Sequence, residues 1–98
     1  MAGGQGKGAL AGVRVLEVGQ FLSAPRCGRL LAEQGAEVVK IEPPPGEPMR
    51  MLMGLVGADR NLSIVNAGKR GITLDLKSPR GRLVFKELVR SADVVVEN

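Results

Sequence analysis

Val13-Arg14-Val15-Leu16-Glu17-Val18, then Gly19-Gln20-Phe21-Leu22-Ser23-Ala24-Pro25, then Glu37-Val38-Val39-Lys40-Ile41-Glu42 read in succession as a strand, a tight turn into a helix, and a second strand. The first run is apolar and rich in β-branched side chains, as a largely buried strand should be. Ser23 stands where it can cap a helix, and Pro25 is tolerated in a first helical turn. Cys27, Leu30, Leu31 and Gln34 follow at helical spacing, and Gly35 suits the left-handed residue that ends a helix. This spacing assigns Cys27 to the apolar helix face and therefore to the core. Two strands linked so closely through a helix make a right-handed parallel unit. Ligands of such sheets lie beyond the carboxyl ends of the strands, and anions favour helix N-termini. Function is therefore sought around residues 20–23 and 42–46.

The remainder of the chain extends this pattern. Residues 1–9 are glycine-rich and polar and are expected to form a disordered tail, with the domain running over 10–98. Their glycines follow no strand, so they form no dinucleotide fingerprint, and there is no Walker sequence. Pro43-Pro44-Pro45-Gly46-Glu47-Pro48 is excluded from helix and central strand and reads as an exposed, stiff connection. Met49 to Leu55 is apolar and methionine-rich, a short helix or a flap. Residues 56–68 have no clear period and read as a mobile loop or a substrate-covering flap. Gly68-Lys69-Arg70-Gly71 is a tight basic turn, either merely solvated or in contact with a phosphate.

Ile72-Thr73-Leu74-Asp75-Leu76 alternates like a half-buried strand. Ser78-Pro79 opens another helix, with Val84, Phe85, Leu88, Val89 and Ala92 on its apolar face. Val94 to Val96 reads as a buried strand, normally covered on both faces by helices. The sequence ends on that strand. The expected architecture is therefore α/β, a Rossmann-like parallel sheet with flanking helices that is incomplete at the C-terminus, and the chain reads as a fragment of a longer protein.

Composition narrows the function classes. A length of 98 residues allows one small domain. Two Phe, no Trp and no Tyr argue against a platform that stacks nucleic-acid bases. A net charge of +4 fits a soluble protein that meets an anionic partner. One Cys and no His remove an internal disulfide, the usual catalytic triads and most zinc sites, so no metal is expected. No apolar run reaches the roughly eighteen residues of a membrane span, and the start lacks the apolar core of a signal peptide. The expected setting is cytoplasmic, without membrane attachment. Asn61-Leu62-Ser63 matches a glycosylation acceptor only formally.

Several ordered blocks resemble the N-terminal segment of class III CoA-transferases. They are Leu10-Ala11-Gly12-Val13-Arg14-Val15-Leu16-Glu17, Ala24-Pro25-Arg26-Cys27, and the run from Leu30 to Pro43. Gly68-Lys69-Arg70, then Thr73 to Pro79, then Ala92 to Asn98 follow in register. The family includes formyl-CoA transferase, carnitine CoA-transferase and alpha-methylacyl-CoA racemase. The resemblance implies a Rossmann-like domain that binds the nucleotide portion of CoA at its strand ends, in an interlocked homodimer. It puts CoA contacts at Leu22 and Ser23, at Leu74, Asp75, Leu76 and Lys77, and at Asn98. It implies no resident cofactor: CoA and acyl-CoA are substrates, with a carboxylic acid as the other reactant.

The transferases' catalytic aspartate matches no acidic residue here and is expected further along the chain. Racemase members also keep their acid and base residues downstream. Many members carry an arginine where Pro43 stands, so either affinity for the nucleotide is lower here or another base takes its place, with Arg50 the candidate. Three functions follow: a CoA-transferase segment, an alpha-methylacyl-CoA racemase-type isomerase, or a free-standing non-catalytic nucleotide-binding module. From the residues themselves, Lys77 follows a strand and precedes a capped helix, where ammonium and backbone donors can both serve a phosphate. Ser23 is explained equally by capping, and Leu74 and Leu76 by core packing. Asp75 and Glu17 flank strands and suit structural roles.

Overall fold

The structure is a computed structural model, and it describes residues 7–20, 22–55, 64 and 66–98. Residues 1–6 of the expected tail, Phe21, Val65 and residues 56–63, with their Asn61-Leu62-Ser63 motif, lie outside the described residues. So does most of the expected loop or flap.

Alternation of β-branched and apolar side chains, interrupted by glycine and proline, gives β1 (Arg14–Val18), α1 (Ser23–Glu33), β2 (Glu37–Glu42), α2 (Pro48–Leu55), β3 (Arg70–Thr73), α3 (Pro79–Arg90) and β4 (Val94–Glu97). The four described strands form one sheet in the order β3-β2-β1-β4, with parallel pairing between each pair of neighbours. This is the α/β architecture expected from the sequence. Gly35, at φ +101°, ends α1 in the left-handed conformation. A Cβ there would strike the Lys7 carbonyl, and one on Gly8 would strike the Gln34 carbonyl. The described end of the N-terminal tail is thus packed over the C-terminus of α1.

The core lies between α1 and one face of the sheet. Val15, Ala32, Ala36 and Val38 are buried there, with Leu10, Val13, Leu31 and Val96 packed around them. On the opposite face, Leu88, Ser91 and Ala92 at the end of α3 share a cavity of about 170 Å³ with Leu16, Glu37 and Val39. Burial is concentrated in the two central strands, and this corrects three expectations. Val94 and Val95 remain exposed because β4 is an edge strand. All four residues of β3 are exposed for the same reason. On α3, Phe85 and Leu88 are half-buried, as is Ala92 just beyond its end, whereas Val84 and Val89 stay exposed.

Three local assignments also shift. β3 begins at Arg70 rather than Ile72, because its pairing with β2 runs from Val39↔Arg70 to Glu42↔Thr73. The Leu74 N–H bond to the Glu42 carbonyl, at 2.8 Å, is the last link before β2 gives way to Pro43. Pro48 opens α2 instead of belonging to the extended connection, a position where its missing N–H costs nothing. The N-cap of α1 is Leu22, whose carbonyl accepts the first helical bond from the Arg26 N–H at 2.8 Å and whose side chain has no acceptor with which to cap the helix. Ser23 is therefore inside the helix.

At α3 the cap is as read. The Ser78 hydroxyl accepts from the Gly81 N–H at 2.9 Å, with Pro79 following. Ser78→Ala should destabilise the chain by about 1 kcal/mol, the usual worth of such a cap. Urea unfolding followed by circular dichroism measures this, and an unchanged midpoint would refute the capping role.

Candidate functional site

Beyond the carboxyl ends of the strands lies a cleft of about 470 Å³. One wall is Val18, Gly19 and Gln20 at the end of β1, with Asn98 at the end of β4. The other is Pro43, Pro44, Pro45 and Glu47 after β2, and Leu74 to Lys77 after β3 completes the lining. Close approach of the first wall requires Gly19, where a Cβ would collide with Ala24 and crowd the Asn98 side chain. The Asn98 amide fixes that wall like an extra rung of sheet. Its Oδ1 accepts from the Gln20 N–H at 3.0 Å, and its Nδ2 donates to the Gln20 carbonyl at 3.1 Å and the Ser23 hydroxyl at 2.8 Å.

The residues singled out in the sequence separate into two groups. Leu74, Asp75, Leu76, Lys77 and Asn98 come together in the cleft lining. Leu22 and Ser23 are exposed and outside that lining, with Ser23 held by Asn98. Leu74 and Leu76 are half-buried rather than core. Asp75 turns its carboxylate back onto its own loop, where Oδ1 accepts from the Lys77 N–H at 3.0 Å. The Lys77 side chain is left exposed beside the capped start of α3.

Beneath the cleft is a buried cluster of charge that the sequence did not reveal. Glu17 and Lys40 face each other in register on β1 and β2, and Lys40 Nζ lies 2.8 Å from Glu17 Oε2. Lys40 also pairs with Glu47 and approaches the Gly19 carbonyl at 3.4 Å. Lys69 Nζ reaches Glu17 Oε1 at 2.5 Å, the Pro25 carbonyl at 2.8 Å and Asn66 Oδ1 at 2.8 Å. All four charged side chains are at most 3% exposed. The helix above makes room for them: at Gly28 of α1 a Cβ would lie 2.1 Å from Glu17 Oε1.

Lys69 is consequently neither a solvated turn residue nor free to meet a phosphate. Burial pushes its ammonium below the ordinary lysine range, an effect that the neighbouring Glu17 opposes. The legible signal was one charge in the middle of each apolar strand, Glu17 and Lys40, of opposite sign. Cys27 is the reverse case: it is exposed rather than in the core, because the buried stripe of α1 runs through Ala24, Pro25, Gly28 and Ala32.

Arg50, the candidate replacement base, is engaged with Glu42 at the end of β2. Its Nε lies 2.7 Å from Glu42 Oε2, and its Nη2 lies 2.7 Å from Oε1. The Glu47 N–H adds a further bond to the same carboxylate. Arg50 thereby holds the Glu42 carboxyl below its ordinary value of 4.5. Among the described residues, no group of three or more His, Cys, Asp or Glu side chains is arranged to hold a metal ion. No described helix is long and apolar enough to cross a membrane.

A parallel sheet with a cleft at its strand ends and a lysine beside a helix N-terminus defines an α/β domain of the Rossmann-like kind. Residues 10–98 match the model of CoA-transferase family III, and the chain belongs to that family. It is 47% identical over 89 residues to a succinyl-CoA–D-citramalate CoA-transferase of Chloroflexus aurantiacus, covering 88% of this chain and 22% of the relative. It is 45% identical over 92 residues to a formyl-CoA:oxalate CoA-transferase of Streptomyces coelicolor, covering 92% and 22%. A CaiB/BaiF family protein from Brucella suis superposes with a TM-score of 0.83 at 35% identity, covering 93% of this chain and 26% of that one. The chain thus spans about a quarter of the length of the relatives it matches.

Two outcomes follow from these charges. Glu17→Gln leaves Lys40 and Lys69 short of a buried counter-charge and should cost about 3–5 kcal/mol in denaturant unfolding. A loss below about 1 kcal/mol would show that the pairing does not stabilise the fold. Arg50→Ala should cost about 1 kcal/mol at pH 7, since the arginine is half-exposed and screened. Because the Glu42 pKa is lowered in the folded chain, the unfolded chain takes up its proton first as pH falls. The wild-type advantage is therefore complete above pH 4.5 and disappears as pH falls through the folded pKa. A difference that stayed constant with pH would refute the assignment.

Proposed function

We propose that the whole protein is a CoA-transferase moving CoA between an acyl-CoA and a carboxylic acid, and that this segment receives the nucleotide portion of CoA. The observation that supports this reading best is the convergence of Leu74, Asp75, Leu76, Lys77 and Asn98 on one cleft. These are five of the positions at which the family resemblance expects CoA contacts. Leu74, Leu76 and the proline wall offer an apolar slot for a flat base. Lys77 supplies an exposed cation where phosphates would lie.

In this reading thioester exchange belongs to an aspartate further along the chain. Its carboxylate attacks the acyl-CoA carbonyl carbon, the C–S bond breaks, and CoA leaves as a thiolate while an acyl-enzyme anhydride forms. The acids that line the cleft are poor candidates for that attack. Glu42 is held by Arg50 and Glu47 by Lys40, while Asp75 accepts from its own loop. The reading extends to an interlocked homodimer working in the cytoplasm.

Calorimetric titration at low salt with CoA and with dephospho-CoA tests it. Saturable CoA binding is expected, weaker for the dephospho form and about tenfold weaker in Lys77→Ala, equivalent to about 1.4 kcal/mol. Absence of binding by a chain that unfolds cooperatively would overturn the reading of this cleft as a CoA site.

A further inference from the structure

We infer that Glu47 is a positioning residue that holds the proline wall of the cleft in place through the buried Lys40 ammonium. Three consecutive prolines carry no backbone N–H, so residues 43–45 cannot bond to the sheet as donors. Their turn is closed by one bond, from the Gly46 N–H to the Pro43 carbonyl at 2.8 Å, with Gly46 at φ +90°. The turn is anchored where it ends. The Glu47 N–H donates to Glu42, and the Glu47 side chain, 2% exposed, runs inward to pair with Lys40.

Lys40 meets both walls at once. The same Nζ that pairs with Glu47 lies within reach of the Gly19 carbonyl on the opposite wall and is fixed from below by Glu17. The Gly19 wall is set independently by its packing on Ala24 and by Asn98. The proline wall has no comparable packing constraint from its rings, which are exposed. Glu47 is thus the side chain that fixes the spacing between the walls. Its charge is matched by Lys40, so it does this without presenting an unpaired carboxylate to an anionic ligand.

The consequence for ligand affinity rests on the proposed CoA site, whereas the positioning itself is measurable without ligand. NMR relaxation of the ligand-free chain gives backbone order parameters for Gly46 and for Val38 and Val39 in the central strand β2. In Glu47→Ala, Gly46 should fall from the rigid value of about 0.85 to below about 0.6, with Val38 and Val39 unchanged. CoA affinity should fall about tenfold in the same variant. An ordered Gly46 in Glu47→Ala overturns the inference, and so does equal loosening of β2, which would mark a general structural role. Unchanged CoA affinity with a loosened Gly46 overturns the link to ligand binding. If the alanine variant does not fold, Glu47→Gln decides. It keeps an acceptor within reach of Lys40 and should leave Gly46 ordered, and a loose Gly46 there overturns the inference. Failure of the wild-type chain to bind CoA would defeat the proposed function alone, with the order parameters still deciding the role of Glu47.

Discussion

Two glutamates and two lysines, closed off from water, hold the functional end of this sheet together. Glu17 and Lys40 belong to adjacent strands, Lys69 to the approach to β3, and Glu47 to the turn that opens α2. Desolvating four charges is expensive, and their attraction offsets that cost only when the contacts are close and the remaining polar atoms find partners. The carbonyls of Gly19 and Pro25 and the Asn66 side chain supply such partners. The arrangement is directional in a way that an apolar core is not. It ties the end of β1 and the turn after β2 to one shared ammonium, that of Lys40.

The cleft above this cluster is built from chain segments that have little regular structure of their own. Residues 43–46 form a proline turn and residues 74–78 a loop ended by the Ser78 cap, while the β1–α1 turn is clasped by Asn98. A parallel sheet brings all of them to one edge, because every strand points the same way. The fold supplies the juxtaposition, and the buried ions and the Asn98 clasp supply the spacing.

The architecture was readable because Val13 to Glu42 carries period, cap and breaker signals that agree with one another. Parallel pairing followed from the short helical crossover. Burial in the outer strands was not readable, because apolar runs such as Val94 to Val96 look alike at the edge and in the middle of a sheet. Cys27 misled because helical spacing identifies a stripe but not which small residues, here Gly28 and Ala32, allow the closest approach. Lys69 looked like a surface charge because the basic turn around it is local, while its partner Glu17 is far away in sequence. The grouping of Leu74 to Lys77 with Asn98 depended on family resemblance, and no local pattern in the residues would have joined them.

The neutrality of the buried cluster also constrains how the sequence can drift. Two positive and two negative side chains cancel, so any single change of charge leaves an uncompensated ion under the cleft. Apolar side chains in place of all four could be as stable as the ions they replaced. A lineage would nevertheless have to pass through an intermediate that carries one buried charge without its partner. The four positions are therefore tied to one another in sequence space. Gly28 is tied to them as well, since its missing side chain is the room that Glu17 occupies.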